Sequence, residues 1–402
     1  MKPYFNSQAL IQSTRLEMVD ALRGFALLGI ILANIPYSHD LTEVYTSNRS
    51  ILGSAYWDNL LKTATAFFID KKFITVFSML FGFGFSIQVD RMAEKNTDFR
   101  KYFIRRMLWL LLIGCIHGYL LWFGDITRDY AICGLLLVLI YKWPIRRILW
   151  VGLLLAIPLT ALVFILNAAL NLQEYTYDVS IVQELYITES YWRYLTINFT
   201  IDPLVNFIQD SPITLVFCSG QILLGFWLGR IGFFATPQLF RSMINKWILF
   251  GSTFGILSSV GFWAVTTGRL ELDGASVGLI FLIVGGLVLQ SLCYIGLFVK
   301  AWENSRLQNI LKIFVPVGRM ALTNYLMQTI FYLLLFFHWP HGLQLYGKVT
   351  ITETYLIAMA VYTLQVLYSH WWMKHFSQGP VEMLWRKLAY QGVPAQPTTQ
   401  PY

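Results

Sequence analysis

Residues 275–299 read ASVGLIFLIVGGLVLQSLCYIGLFV, twenty-five residues without one Asp, Glu, Lys, Arg or His. A helix rises about 1.5 Å per residue, so about 20 apolar residues cross the roughly 30 Å hydrocarbon core of a bilayer. The rest of the chain agrees with this stretch. Hydrophobic residues make up 56% of it and charged residues 13%, against roughly 25% charged in soluble domains, and the mean hydropathy is +0.55. A chain of 402 residues with this balance cannot cover a globule with polar surface. The expected fold class is an all-α integral membrane protein.

Similar runs lie near 21–37, 67–89, 107–124, 130–141, 148–170, 213–229, 246–267, 313–337 and 351–373. With 275–299 they predict a polytopic bundle of about ten transmembrane helices. The run 130–141 is short, as for a tilted helix or one arm of a half-buried hairpin. The longest gap, 171–212, holds Tyr, Asp and Glu with little Lys or Arg and has room for a surface helix. Residues 1–390 read as one polytopic domain, and the Pro/Gln/Thr-rich 391–402 as a disordered C-terminal tail.

Lys and Arg collect on the cytoplasmic side of membrane segments. Here they crowd into 90–106 and 142–147, then recur at Arg230, Arg241 and Lys246, and at Lys300, Arg306 and Lys312. The intervening gaps hold about one each: Arg128, Arg193, Arg269 and Lys348. Only the first gap departs, with Arg49, Lys62, Lys71 and Lys72. The alternation places both termini in the cytoplasm and 171–212 outside. It makes the formal charge of +8 a topology signal with affinity for anionic lipid headgroups. The basic residues are scattered over short loops, which is not a nucleic-acid footprint. No small-residue cleavage site follows the first apolar run, so it is expected to remain as a span. Cys115, Cys133, Cys218 and Cys293 sit inside apolar runs without CxxC spacing and read as small hydrophobes, with no metal site implied.

Polar side chains inside the spans are costly, so they are where chemistry is sought. Asp20, Arg23 and Asn34 fall on one face of the first span, with Asp20 and Arg23 spaced to pair at its cytoplasmic end. Gly114-Cys115-Ile116-His117-Gly118 puts a histidine roughly 10 Å below Gly124. Its small-xxx-small spacing lets another helix come close. Gly124, Asp125, Asp129 and Tyr130 follow. A neutral imidazole beside a carboxylate is suited to general-base work, which makes His117 and Asp125 the candidate catalytic pair. Val317–Thr329 (VGRMALTNYLMQT) carries Arg319, Thr323, Asn324 and Gln328 at the start of an apolar run. The Arg319 guanidinium is suited to gripping phosphate or carboxylate. Residues 375–390 read as an amphipathic surface helix with Glu382 and Arg386 as an i,i+4 pair. There is no Walker loop, no HExxH and no serine elbow, and Gly82-Phe83-Gly84 sits in an apolar run where it serves helix packing.

Four stretches resemble the polytopic bacterial membrane proteins typified by YeiB, a family of unknown function. They are Val19–Ile30 with Asn34, Ile116–Gly118 through Gly124–Ile126, Gly318–Thr329, and Gln378–Glu382 with Leu384–Arg386. They cover nearly the whole chain in order. The Leu22-Arg23-Gly24 opening of the first span is also similar to that of transmembrane acyltransferases, including heparan-alpha-glucosaminide N-acetyltransferase and the type-three bacterial acyltransferases. The type-three enzymes carry a catalytic histidine eleven residues after that arginine, where this chain has Asn34. The resemblance implies a multi-pass protein of the bacterial inner membrane. It would move an acyl group from a cytoplasmic, acyl-CoA-like donor to a cell-envelope acceptor. On this reading His117 is the base, and Asp20, Arg23, Asn34, Arg319, Asn324 and Gln328 hold the donor or acceptor. Two other readings stand beside it: a proton-coupled secondary transporter, and a structural membrane protein whose polar residues only join helices.

Overall fold

A computed structural model describes residues 17–40, 55–94, 99–169, 179–202, 204–205, 211–266, 269–270, 276–339 and 341–390. The described elements are helical throughout. In chain order they are α1 (Glu17–Asp40), α2 (Ala55–Phe68), α3 (Lys72–Glu94), α4 (Phe99–Leu120), α5 (Thr127–Ile140), α6 (Ile145–Leu154), α7 (Thr160–Ala169), α8 (Val179–Ile187) and α9 (Tyr191–Thr200). Then follow α10 (Ser211–Arg230), α11 (Arg241–Thr266), α12 (Val277–Glu303), α13 (Ser305–Leu311), α14 (Val315–Arg319), α15 (Ala321–Phe336), α16 (Ile351–His375) and α17 (Pro380–Ala389).

Among the described residues, seven helical segments are long and apolar enough to cross a membrane: 17–35, 56–93, 99–120, 145–166, 212–230, 237–265 and 277–303. Three of the ten runs fall outside this set. α5 has 14 residues and α15 has 16. α16 has 25, but Thr354, Thr363, Gln365, Ser369 and His370 recur along it and lower its apolarity.

Breaks appear where the sequence reads as continuous. The run 148–170 contains a π-helical turn, Leu155–Leu159, around Pro158; proline has no N–H for the helical ladder, and the wider turn absorbs the loss. The run 313–337 breaks at Met320 (φ −111°, ψ 33°) into α14 and α15. α2, not expected from the hydropathy, is joined to α3 by a turn in which Lys71 takes φ 62°. α4 begins eight residues before the apolar run 107–124 and stops short of its end, so Arg100, Lys101, Arg105 and Arg106 are helical and 121–126 is not.

Glycines set the closest crossings. A Cβ on Gly24 would strike the Phe314 carbonyl, and one on Gly318 the Asp20 carbonyl, so α1 and α14 are held backbone to backbone. Gly82 likewise lies against the Ile222 carbonyl, which makes α3 and α10 a tight pair. Overpacking costs about 1–3 kcal/mol, and a clash with backbone belongs at the top of that range. Gly318→Ala should therefore lower the thermal midpoint of the detergent-solubilised protein clearly. Gly278→Ala, where no atom lies within 4 Å, should leave it unchanged. Equal midpoints for the two variants would refute the close crossing.

Two short helices, α8 and α9, cover one end of the bundle, so the gap 171–212 holds a pair of docked helices rather than one. Their faces are aromatic: Tyr186 stacks on Tyr346 with centroids 4.1 Å apart, and Tyr191 on Trp339 at 4.4 Å. Glu184 and Arg193 join them through two contacts of 2.6 and 2.8 Å. The tail 391–402, expected to be disordered, lies outside the described residues.

Candidate functional site

α4 ends at Leu120, and the six residues before α5 are not helical. Their backbone groups need partners. Asn198 of α9 supplies one and ties the connection to the end of α4: its Oδ1 accepts the Phe123 N–H at 2.9 Å, and its Nδ2 donates to the Gly118 and Tyr119 carbonyls at 2.8 and 2.9 Å. The Tyr194 hydroxyl donates to the Leu121 carbonyl, and the Ile126 N–H donates to the Tyr325 hydroxyl at 3.2 Å. The connection is thus a fixed structure inside the bundle, and it delivers Asp125 beside His117.

His117 is 2% exposed and held at both ring nitrogens. Nδ1 lies 2.7 Å from Asp125 Oδ2, and Nε2 lies 2.8 Å from Thr329 Oγ1 on α15. Asp125 also accepts hydrogen bonds from the Thr127 hydroxyl at 2.8 Å and the Arg128 N–H at 2.9 Å. A carboxylate serving as acceptor on every side requires the proton of the imidazole on Nδ1. Nε2 then presents its lone pair to the Thr329 hydroxyl. Nucleophile, base and orienting carboxylate within hydrogen-bond reach is the geometry of activated-hydroxyl chemistry. Gly114 and Gly118 have the expected close-approach role, and the neighbour they admit is Arg128. That arginine is 1% exposed, lies 2.7 Å from Asp202, and donates to the Phe123 carbonyl at 3.0 Å.

A cavity of about 290 Å³ lies among the helices. Arg23, Arg106, Arg319 and Glu382 line one end; Phe77, Phe81, Phe85, Phe103, Met107 and Leu110 line its apolar middle; Asn34, Gly124, Ile126 and Tyr325 line the other end. A chamber of about 30 Å³ adjoins it, sharing Asn34, Gly124 and Tyr325, with Thr329, Gln328, Trp122 and Tyr332 as further walls. Asn34 is exposed on this shared wall, and its amide has no hydrogen-bond partner among the described residues.

The arginine end is partly neutralised. Asp20 lies 3.1 Å from Arg23 and 3.5 Å from Arg319, and is itself 1% exposed behind them. The Arg106 guanidinium sits 3.7 Å over the Trp385 ring, whose Nε1 donates to the Arg106 carbonyl at 2.8 Å. Glu382 departs from its expected pairing with Arg386. Its carboxylate accepts the Leu322 and Thr323 N–H groups at 2.7 and 3.0 Å and the Thr323 hydroxyl at 2.5 Å. The first turn of a helix leaves N–H groups unpaired and carries partial positive charge, so α17 caps α15 from outside. Burial pushes the Glu382 carboxyl up, opposed by these same hydrogen bonds.

Of the residues singled out in the sequence, Arg23, Asn34 and Arg319 share one cavity, Gln328 walls the adjoining chamber, and His117 reaches that chamber through Thr329. Asn324 is placed elsewhere: fully buried, it donates to Ser369 at 3.0 Å and the Val317 carbonyl at 3.2 Å, joining α14, α15 and α16. Sequence reading missed the roles of Thr329, Arg128, Asp202 and Arg106. Thr329 closes a polar string that hydropathy does not require, and Arg128 is the one base in an otherwise base-poor connection. Those were their only local signals.

The fold and site define an all-helical membrane protein with several spans and a buried Asp–His–Thr array beside an internal cavity. The sequence profile of the family described as "Protein of unknown function (DUF418)" matches residues 228–392. The chain is 31% identical to "Uncharacterized protein YxaH" of Bacillus subtilis (strain 168), covering 95% of this chain and 96% of that protein. It is 29% identical to "Uncharacterized protein YeiB" of Escherichia coli (strain K12), covering 92% and 95%. It belongs to this YeiB-like family.

Proposed function

We propose that the protein is a transmembrane acyltransferase that moves an acyl group from a cytoplasmic thioester donor to a hydroxyl acceptor of the cell envelope. In this reading the chain makes ten spans in the bacterial cytoplasmic membrane with both termini inside. The Arg23, Arg106 and Arg319 end then faces the cytoplasm, where basic loops meet anionic headgroups. The observation that carries the reading is the continuity of one cavity from those arginines to the wall of the chamber beside Thr329 and His117. An acyl-CoA-like donor is transiently bound: its phosphates match the guanidinium groups and its acyl chain the aromatic middle. His117 Nε2 is the proton acceptor, Asp125 fixes its tautomer, and the Asn34 amide is placed for a carbonyl oxygen at the shared wall.

A proton-coupled transporter is the second reading, favoured by the buried Asp125, Arg128 and Asp202 near His117, since intramembrane charges often serve proton pathways. Proteoliposomes given radiolabelled acetyl- or octanoyl-coenzyme A on the arginine side and envelope lipids or saccharides as acceptors separate the two. Label is expected in the acceptor fraction. No transfer, together with a solute flux driven by a pH gradient, would replace the first reading with the second.

A further inference from the structure

We infer that Thr329 is the nucleophile of a two-step transfer and carries the acyl group as an oxygen ester between donor and acceptor. The inference rests on the acyltransferase reading and adds to it a covalent intermediate on this chain. Three observations carry it. Thr329 Oγ1 lies 2.8 Å from His117 Nε2, the nitrogen that Asp125 leaves free to accept a proton. Helical threonines commonly bond a carbonyl one turn back, yet among the described residues the Thr329 hydroxyl has His117 as its partner. The third is access. Thr329 walls a small chamber that shares Asn34, Gly124 and Tyr325 with the cavity leading to the arginines, so a donor carbonyl entering from that cavity can reach its hydroxyl. An ester on Thr329 then lets a donor arriving from the arginine end and an acceptor arriving from the other use the chamber in turn.

The steps balance without any further reactant. Thr329 Oγ adds to the thioester carbonyl as its proton passes to His117 Nε2. The C–S bond then breaks, and the leaving thiolate takes that proton from the imidazolium. The free thiol withdraws towards the arginines and leaves the acyl group on Thr329. An acceptor hydroxyl next gives its proton to His117 and attacks the ester carbonyl. The C–O bond to Thr329 breaks, and Oγ regains a proton from the imidazolium. Asp125 is a positioning residue throughout. The Asn34 amide, exposed on the wall common to cavity and chamber, faces the oxygen that gains charge in both additions.

The test incubates the full-length protein with octanoyl-coenzyme A without acceptor, quenches it in acid and maps peptides by mass spectrometry. The peptide containing Thr329 is expected to gain one octanoyl group, labile to mild base as an oxygen ester is. Thr329→Val keeps the side chain's shape and removes the hydroxyl. It should show no adduct and lose about 100-fold or more of its transfer rate. Thr329→Ser should restore both, which separates lost chemistry from lost folding. Wild-type protein that transfers label while Thr329→Val transfers it equally well overturns the intermediate and leaves the acyltransferase reading standing. Wild-type protein that transfers no label from any thioester overturns both.

Discussion

His117→Gln is expected to insert and fold yet to transfer acyl groups about 10²- to 10⁴-fold more slowly, the range over which a positioned general base contributes. Glutamine is chosen over alanine because the ring is buried between two polar partners. Asp125 and Thr329 approach it at 2.7 and 2.8 Å, and deleting the ring would leave the Thr329 hydroxyl unpaired and take one donor from Asp125, at a stability cost unrelated to chemistry. The glutamine amide can still bond one or both neighbours but cannot take up a proton. Asp125→Asn should fall in the same direction, because an amide that donates towards Nδ1 favours the wrong tautomer. The measurement is turnover per folded molecule, with folding checked by size exclusion. A His117→Gln protein that turns over normally would remove the histidine from the mechanism.

Arg128→Ala is expected to be the most destabilising single change, by about 3–5 kcal/mol, because removing one partner of a buried pair strands the other charge. The stranded group is Asp202, fully buried with its carboxylate 2.7 Å from the guanidinium. Asp125 loses a further cation at 3.6 Å. Arg128→Met combined with Asp202→Leu should recover much of the loss, since replacing both members of a buried pair by apolar groups is often close to neutral. Denaturant or thermal unfolding of the three proteins in one detergent decides the matter. A single variant as stable as wild type would show that the pair contributes nothing.

Periodicity and charge exposed much of this architecture, and specific residues show where they stopped. The apolar runs located the long helices, because hydropathy is a local property. The 11-residue spacing of Arg23 and Asn34 placed both on one face, and both line the same cavity. His117 and Asp125 are eight residues apart and meet because the helix between them ends. By contrast, Thr329 comes to His117 across 212 residues, and Asp202 reaches Arg128 from a different connection. No window of sequence contains such a pair; only the docking of helices creates it. Arg106 was legible as a positive charge but was counted as loop, since the basic opening turns of α4 resemble the loop before them. The same blindness hid the break at Met320, where a change of backbone angles leaves hydropathy untouched. Asn324 was polar and well placed by spacing, yet α16 stands on that side and uses it for interhelical bonding.

The last helix among the described residues, α17, gives the segment from Pro380 a practical meaning. α17 presses Trp385 onto Arg106 and inserts Glu382 into the open end of α15, and both residues are walls of the large cavity. Shortening the chain before Pro380 would therefore unplug the bundle: it would bare a guanidinium, uncap the helix that bears Thr329 and admit water at the arginine end. Fusion partners belong after Ala389, where the helix has finished its work.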